Sequence, residues 1–187
     1  MSLIVTPLAL PELLLLEPEV HRDARGSFVE TFNARTFRAA TGVDAVFVQD
    51  NQVRSVRGVL RGLHVQTPAG QGKLVRVTAG RVFDVAVDLR RGSPRFGRWA
   101  GQVLEADRLT QLWVPPGFAH GYLVLSDEAE VCYKVTAHRV PADERVLRWD
   151  DPDVAVAWPL EGPPRLSARD AAGDGLAEAS TWGLSRD

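Results

Sequence analysis

The feature that most limits what this chain can fold into is its punctuation. Short β-type runs recur from end to end, each closed by a turn signal: Leu3–Thr6, Leu13–Pro18, Ser27–Phe32, Ala45–Asn51, Val59–Gln66, Leu74–Ala79, Arg81–Leu89, Trp99–Leu104, Thr110–Val114, Gly121–Leu125, Ala129–Thr136 and Arg145–Trp149. The 16 glycines and 12 prolines are spread throughout and gather into no linker. Strands this frequent, with turns between them, describe an all-β sandwich or barrel. One helix is expected at Ala34–Thr41, where Asn33 can cap the start and Gly42 the end. A second, short helix is expected near Gly175–Ala179. At 187 residues and 45% hydrophobic content, the chain is long and apolar enough for one domain with a real core, read here as residues 1–187.

Charge and cysteine content exclude several function classes. The formal net charge is −2, so nothing pulls the chain generally toward nucleic acid, and an anionic ligand needs a local basic cluster. Cys132 is the single cysteine, which rules out an intrachain disulfide and a cysteine-based zinc site and fits a reducing cytoplasm. No run approaches the ~18 apolar residues of a membrane span. The apolar stretch Leu13–Leu16 is interrupted by Pro7, Pro11 and Glu12, and no Lys or Arg precedes Arg22, so it reads as an early strand and not as a signal peptide.

Chemistry concentrates between Gln49 and Lys73, where His64, several arginines, Gln49 and Asn51 surround the apolar pair Val59–Leu60. On a regular strand His64 would share a face with Leu60, Gly62 and Gln66, opposite Arg61. Gly62 permits a bend that lets Arg61 and His64 converge, or a close approach of another backbone or a ligand. A buried structural histidine is the competing reading, since imidazole serves both as core residue and as near-neutral acid or base. Lys73 opens a strand at the same sheet end. It is either a solvated lysine or a fixed positive charge. Arg25, Arg54, Arg57, Arg61 and Arg76 add a basic population, part of which could grip a diphosphate.

Three further stretches stand out. In Arg81–Leu89 one face carries Phe83, Val85, Val87 and Leu89. The other carries Val82, Asp84, Ala86 and Asp88, and being small and acidic it is expected to look into a polar cavity or at a partner. In Ala129–Ala137, Tyr133 shares the face of Val131 and Val135, so its hydroxyl needs a partner. Trp113–Gly121 runs a strand into a turn stiffened by Pro115 and Pro116, which suits either a positioned His120 or a tight sheet corner. Ser167–Asp170 reads as a capped helix start, or as a carboxylate that orients a histidine. A metal site using His64 and His120 would require further ligands at close spacing. No H-x-H occurs, and no metal is expected.

Together these motifs resemble the dTDP-4-dehydrorhamnose 3,5-epimerases. The matching segments are DARGSFVETFN (23–33), QDN (49–51), GVLRGLHVQ (58–66), QGKLVRV (71–77), VFDVAVDLR (82–90), SPRFGRW (93–99), VPPGFAHGY (114–122), CYK (132–134), DP (151–152), WP (158–159) and LSARD (166–170), in order over nearly the whole chain. The resemblance implies a cupin-like jelly roll, a double-stranded β-helix with short peripheral helices, that forms a homodimer and needs no cofactor. It implies His64 as general base, Asp170 as its orienting partner, Tyr133 as general acid on the opposite sugar face, and Lys73 as stabiliser of the developing oxyanion. It implies Gln49, Asn51, Arg61, His120, Glu144 and Arg169 as holders of nucleotide, diphosphate or sugar, with Arg25, Phe28 and Glu30 reaching the site from the partner subunit.

The substrate so implied is a dTDP-4-keto-6-deoxy-hexose. Departures from the family pattern are Arg139 where an aromatic commonly stacks on thymine, Val53 for serine, Val65 for an aromatic, and Arg169 for lysine. A guanidinium can also stack on a base, so Arg139 is retained as a binding residue. The alternatives left open are an epimerase acting at C3 or C5 alone, a ketoisomerase, and a non-catalytic sugar-nucleotide-binding cupin.

Overall fold

The computed structural model describes residues 2–184. In chain order its elements are β1 (Leu3–Pro7), β2 (Leu14–Pro18), β3 (Val20–Asp23), β4 (Gly26–Val29), α1 (Ala34–Thr41), β5 (Gln49–Val56), β6 (Leu60–Gln66), β7 (Lys73–Ala79), β8 (Arg81–Asp88), β9 (Trp99–Glu105), β10 (Gln111–Val114), β11 (Phe118–Val124), β12 (Glu128–Val135), β13 (Glu144–Val146), α2 (Ala168–Ala171) and α3 (Leu176–Ala179). A six-stranded sheet runs β1-β2-β10-β7-β12-β5 and a five-stranded sheet runs β13-β6-β11-β8-β9, both with antiparallel neighbours. Val75, Val77, Leu112 and Val131 of the first meet Val82, Ala86, Leu104, Phe118 and Val124 of the second in a dry core. The architecture is the all-β jelly roll of cupin type, with short helices at its periphery.

Two outer layers complete it. Phe37 of α1 packs with Phe32, Phe47 and Trp113 over the six-stranded sheet. The α1 caps are as the sequence implies: Asn33 accepts from the N–H groups of Arg35 and Thr36, and Gly42 takes the left-handed conformation at φ 72°. The segment after β13 covers the outer face of the five-stranded sheet with Leu147, Val154, Trp158 and Ala179.

Several expectations shift. The apolar run from Ala45 is not the strand. Phe47 joins the aromatic cluster, Val46 stays exposed, and the ladder begins at Gln49. The strand QDNQVRSV extends beyond the expected run because its inward side chains line a polar cavity and not the dry core. The acidic face of β8 also divides: Asp84 bonds His120, whereas Asp88 is buried in a cluster with Arg90, Ser93 and, through Arg90, Glu12. Only Asp84 serves the cavity end. The strand expected at Gly121–Leu125 starts earlier, at Phe118, so His120 sits within it. The ribbon β3–β4 pairs only with itself, and Phe28 on it is 62% exposed.

Candidate active site

At one end of the space between the sheets the apolar core gives way to a cavity of ≈ 280 Å³. From the six-stranded sheet, β5 turns Gln49, Asn51 and Val53 toward it, β7 contributes Lys73 and β12 Tyr133. From the five-stranded sheet come Arg61 and His64 on β6, and His120 and Tyr122 on β11. Arg139, Glu144, Arg169 and Asp170 close it. Eleven of the fourteen residues singled out above therefore meet around one cavity. Arg25, Phe28 and Glu30 do not. Arg25 pairs with Asp23 on the exposed ribbon, and Glu30 accepts from Asn33 Nδ2.

Simple alternation along β6 would place Arg61 and His64 on opposite faces. A register shift opposite His120–Tyr122 overturns that expectation: His64 pairs with His120, but Arg61 pairs with Tyr122. Two glycines make this possible. Gly62 adopts φ 114°, and a Cβ there would lie 2.6 Å from the His120 carbonyl oxygen; a Cβ on Gly121 would lie 2.4 Å from that of Arg61. The backbones touch where neither residue has a side chain, and the bulge turns both functional groups inward.

His64 Nε2 lies 2.6 Å from Asp170 Oδ1, across 106 residues of sequence. An ionised carboxylate only accepts, so Nε2 carries the hydrogen, and in the neutral ring Nδ1 then holds the lone pair. Ser167 caps the short helix, and the same turn brings the Asp170 carboxylate to His64. Ser167 Oγ caps α2 through the Asp170 N–H at 3.1 Å and donates to Asp170 Oδ2 at 2.8 Å. Burial pushes the Asp170 carboxyl up, but His64, Ser167 and the Gly62 N–H outweigh it and hold the pKa below the ordinary value. Backbone bonds flank the short helix: Leu60 N–H to the Arg165 carbonyl at 3.1 Å, and Arg148 N–H to the Asp174 carbonyl at 2.8 Å. They pin the returning chain to the sheet that carries His64.

On the opposite wall, Lys73 and Tyr133 share a face, because Val135 pairs with Lys73 and Tyr133 with Val75. Lys73 is buried, and among the described residues no carboxylate lies within 4.0 Å of its ammonium. Desolvation pushes its pKa down to about 8, against the more distant charges of Glu144 and Asp84. Burial and the Glu144 charge raise the Tyr133 phenol, with Arg139 and Arg61 opposing. At the mouth, Glu144 Oε2 gathers two guanidiniums: Arg139 Nη2 at 2.7 Å and Arg169 Nη1 at 2.6 Å. Burial alone would raise Glu144, but these bonds hold it low.

Residues missed by the sequence reading also line the site. Tyr122 follows His120 by two positions on a strand, a spacing that could have found it. Burial pushes its phenol up to about 12. Its hydroxyl has no hydrogen-bond partner among the described residues, although Ser55 is near enough to oppose that shift. Ser55 Oγ itself accepts from Arg61 Nε at 2.9 Å. Gln66 and Gln71 line the mouth. Among the described residues no three His, Cys, Asp or Glu side chains are grouped to hold a metal ion.

A sequence model of dTDP-4-dehydrorhamnose 3,5-epimerase matches residues 7–178. The chain belongs to the dTDP-4-dehydrorhamnose 3,5-epimerase family. A relative of that name from Pseudomonas aeruginosa is 53% identical over 177 residues, covering 95% of this chain and 98% of the relative. The crystal structure of a family member from Legionella pneumophila, described as a dTDP-6-deoxy-D-glucose-3,5-epimerase in complex with dTDP-4-keto-L-rhamnose, superposes with a TM-score of 0.95. It is 44% identical and covers 100% of this chain and 99% of its own. Another relative, a dTDP-4-dehydrorhamnose 3-epimerase from Streptomyces niveus, is 40% identical over 179 residues, covering 95% of this chain and 86% of its own. Membership of this family accords with the jelly roll and with a cavity between its sheets.

Proposed function

We propose that the chain is a dTDP-4-dehydrorhamnose 3,5-epimerase, inverting C3 and C5 of dTDP-4-keto-6-deoxy-D-glucose to give dTDP-4-keto-L-rhamnose. The observation that carries the mechanism is the opposition of His64 on one sheet, paired with Asp170 of α2, and Tyr133 on the other sheet, across one cavity. The C4 ketone acidifies the hydrogens at C3 and C5. His64 Nδ1 removes one, and the electron pair moves onto the C4 oxygen as an enolate. Lys73 supplies a positive charge that no carboxylate among the described residues neutralises by contact, so it is free to stabilise that oxygen. Tyr133 then returns a proton to the carbon from the opposite face, which inverts the centre. Every step is a proton transfer, and oxidation states do not change. Gln49, Asn51, Arg61, His120, Glu144 and Arg169 hold the sugar and diphosphate, and the Arg139 guanidinium stacks on the base.

Turnover in deuterium oxide, read by position, tests the assignment. Label at both C3 and C5 is expected. Label at C3 alone identifies a 3-epimerase, a 3-keto product identifies a ketoisomerase, and no exchange at either carbon refutes the enzyme reading. The Tyr133→Phe variant should still exchange substrate protons while forming little inverted product; complete loss of exchange counts against Tyr133 as the acid.

We further infer a cytoplasmic homodimer in which Arg25, Phe28 and Glu30 complete the partner's cavity. The self-paired ribbon and the exposure of Phe28 and Arg25 support this reading. Mixing inactive His64→Ala and Arg25→Ala chains should regenerate some wild-type sites and activity; no recovery after subunit exchange argues against it.

A further inference from the structure

Between the end of β12 at Val135 and the start of β13 at Glu144 the chain leaves both sheets, and its one regular element there is a turn of 3-10 helix at Pro141–Asp143. This segment carries Arg139 across the mouth of the cavity. With no strand neighbour, its backbone groups need other partners. Two buried side-chain amides supply them. Gln66 Nε2 donates to the Val140 carbonyl at 3.2 Å, and the Val140 N–H donates to Gln66 Oε1 at 2.7 Å. One amide thus closes both hydrogen bonds of one peptide residue, as an adjacent strand would. Gln71 Nε2 donates to the Ala137 carbonyl at 2.6 Å. Gln66 is only 8% exposed and Gln71 6%, so a lost partner would not be replaced cheaply by water.

We propose that Gln66 and Gln71 are positioning residues for the nucleotide end of the site. They fix the backbone on either side of Arg139 and so hold its guanidinium where an anionic nucleotide enters. The consequence reaches Glu144, whose Oε2 accepts from Arg139 Nε at 2.9 Å and from Arg169 Nη1 at 2.6 Å. Two guanidiniums on one carboxylate leave the mouth net positive, with further N–H groups on each guanidinium able to meet a diphosphate. A loose 137–140 segment would spread Arg139 over many positions, and the ordering would then be charged against each binding event. The effect belongs in ligand affinity and not in the proton transfers at His64 and Tyr133.

The inference rests on the proposed function, and the probe is dTDP, titrated by calorimetry beside steady-state kinetics with the 4-keto sugar. Gln66→Ala should weaken dTDP binding and raise KM by about tenfold, the worth of one to two neutral hydrogen bonds, with a far smaller change in kcat. Gln71→Ala should act in the same direction by about threefold, for its single bond. The decisive measurement is a double-mutant cycle. If Gln66 acts through Arg139, then in an Arg139→Ala background Gln66→Ala should add less than about twofold. Fully multiplicative losses in that background overturn the proposal, as does a fall in kcat with dTDP affinity unchanged. Should Gln66→Ala fold poorly, Gln66→Met keeps the length of the side chain without adding charge and removes both bonds to Val140. A loss of dTDP affinity like that of Gln66→Ala is expected there, and unchanged affinity overturns the proposal. Wild-type protein that neither binds dTDP nor turns over the sugar overturns the proposed function itself, whereas tight wild-type binding with unaltered variants overturns this inference alone.

Discussion

Two histidine–carboxylate pairs stand side by side in this protein and are built in opposite ways. His120 and Asp84 come from adjacent strands of one sheet, and His120 Nε2 lies 2.9 and 3.0 Å from the two carboxylate oxygens. Their side chains are 8% and 0% exposed. His64 and Asp170 are joined only because the chain after β13 returns over the sheet and presents α2 to β6. Here the aspartate is sealed, at 6%, but the histidine is 32% exposed. Both pairs fix an imidazole through Nε2. Exposure separates them: the His64 ring is open along one edge, whereas the His120 ring lines the same cavity but is nearly enclosed. In the proposed mechanism, the working dyad is the one with a side left open.

The largest way to break that comparison is to delete the two rings. His64→Ala should lower kcat by ~10²- to 10⁴-fold, the usual worth of a general base, with dTDP affinity and thermal stability near wild type. His120→Ala should instead lower stability and raise KM, with a far smaller fall in kcat than His64→Ala. It leaves Asp84 fully buried without its hydrogen-bond partner, a cost of about 1–3 kcal/mol that chemical denaturation would read as a lower midpoint. If both variants lose turnover equally while both stay stable, the two pairs are not distinguished by exposure and the assignment of His64 as sole base falls.

How much of this was legible in the sequence follows the same division. The His120–Asp84 pair lies on neighbouring strands of a motif-rich stretch, and β8 alternation put Asp84 on a small acidic face together with Asp88, without separating the two. Asp170 could be assigned to His64 only by resemblance, because no local pattern spans 106 residues. The helix at Ala34–Thr41 was readable to the residue because its caps are local chemistry. Strand β5 was not, since the rule that inward residues are apolar fails where inward means a polar cavity. The bulge at Gly62 was visible as a glycine, but its effect depends on Gly121 lying opposite, a fact of register. Gln66 and Gln71 were hidden for a further reason: glutamine at a strand end or in a turn reads as surface, and the missing ladder at 137–140 gives these amides their task.

A finer cut keeps both rings and alters the carboxylates. Asp170→Asn preserves the size of the residue and its contact with Ser167, but an amide can present its own N–H to His64 and favour the wrong tautomer. Turnover should fall on the order of 10²-fold, with little change in KM. Asp84→Asn should change kcat by less than about tenfold, because His120 takes no proton in the mechanism. Steady-state kinetics on the two variants, with melting curves to establish folding, places the pairs on one scale. Equal losses of kcat would mean that the buried pair also tunes the chemistry, and Lys73 is the route by which it could, since the Asp84 charge helps to keep that ammonium protonated.

The smallest expected effect isolates that route. In the proposed mechanism Lys73 acts only while charged, and desolvation brings its pKa down to about 8. An ammonium is protonated below its pKa, so kcat/KM should hold through neutral pH and fall as the pH rises through about 8, because this ratio reports the free enzyme. Glu144 raises the Lys73 pKa, and removing its charge in Glu144→Gln should move the descending limb to lower pH, a loss on the order of two- to threefold at pH 8 beyond any effect at pH 6. Lys73→Arg should flatten the limb, since guanidinium stays charged throughout the range, at whatever cost its larger head imposes. A limb that stays in place in both variants belongs to another group, and Lys73 then acts through its hydrogen bonds and not through its charge.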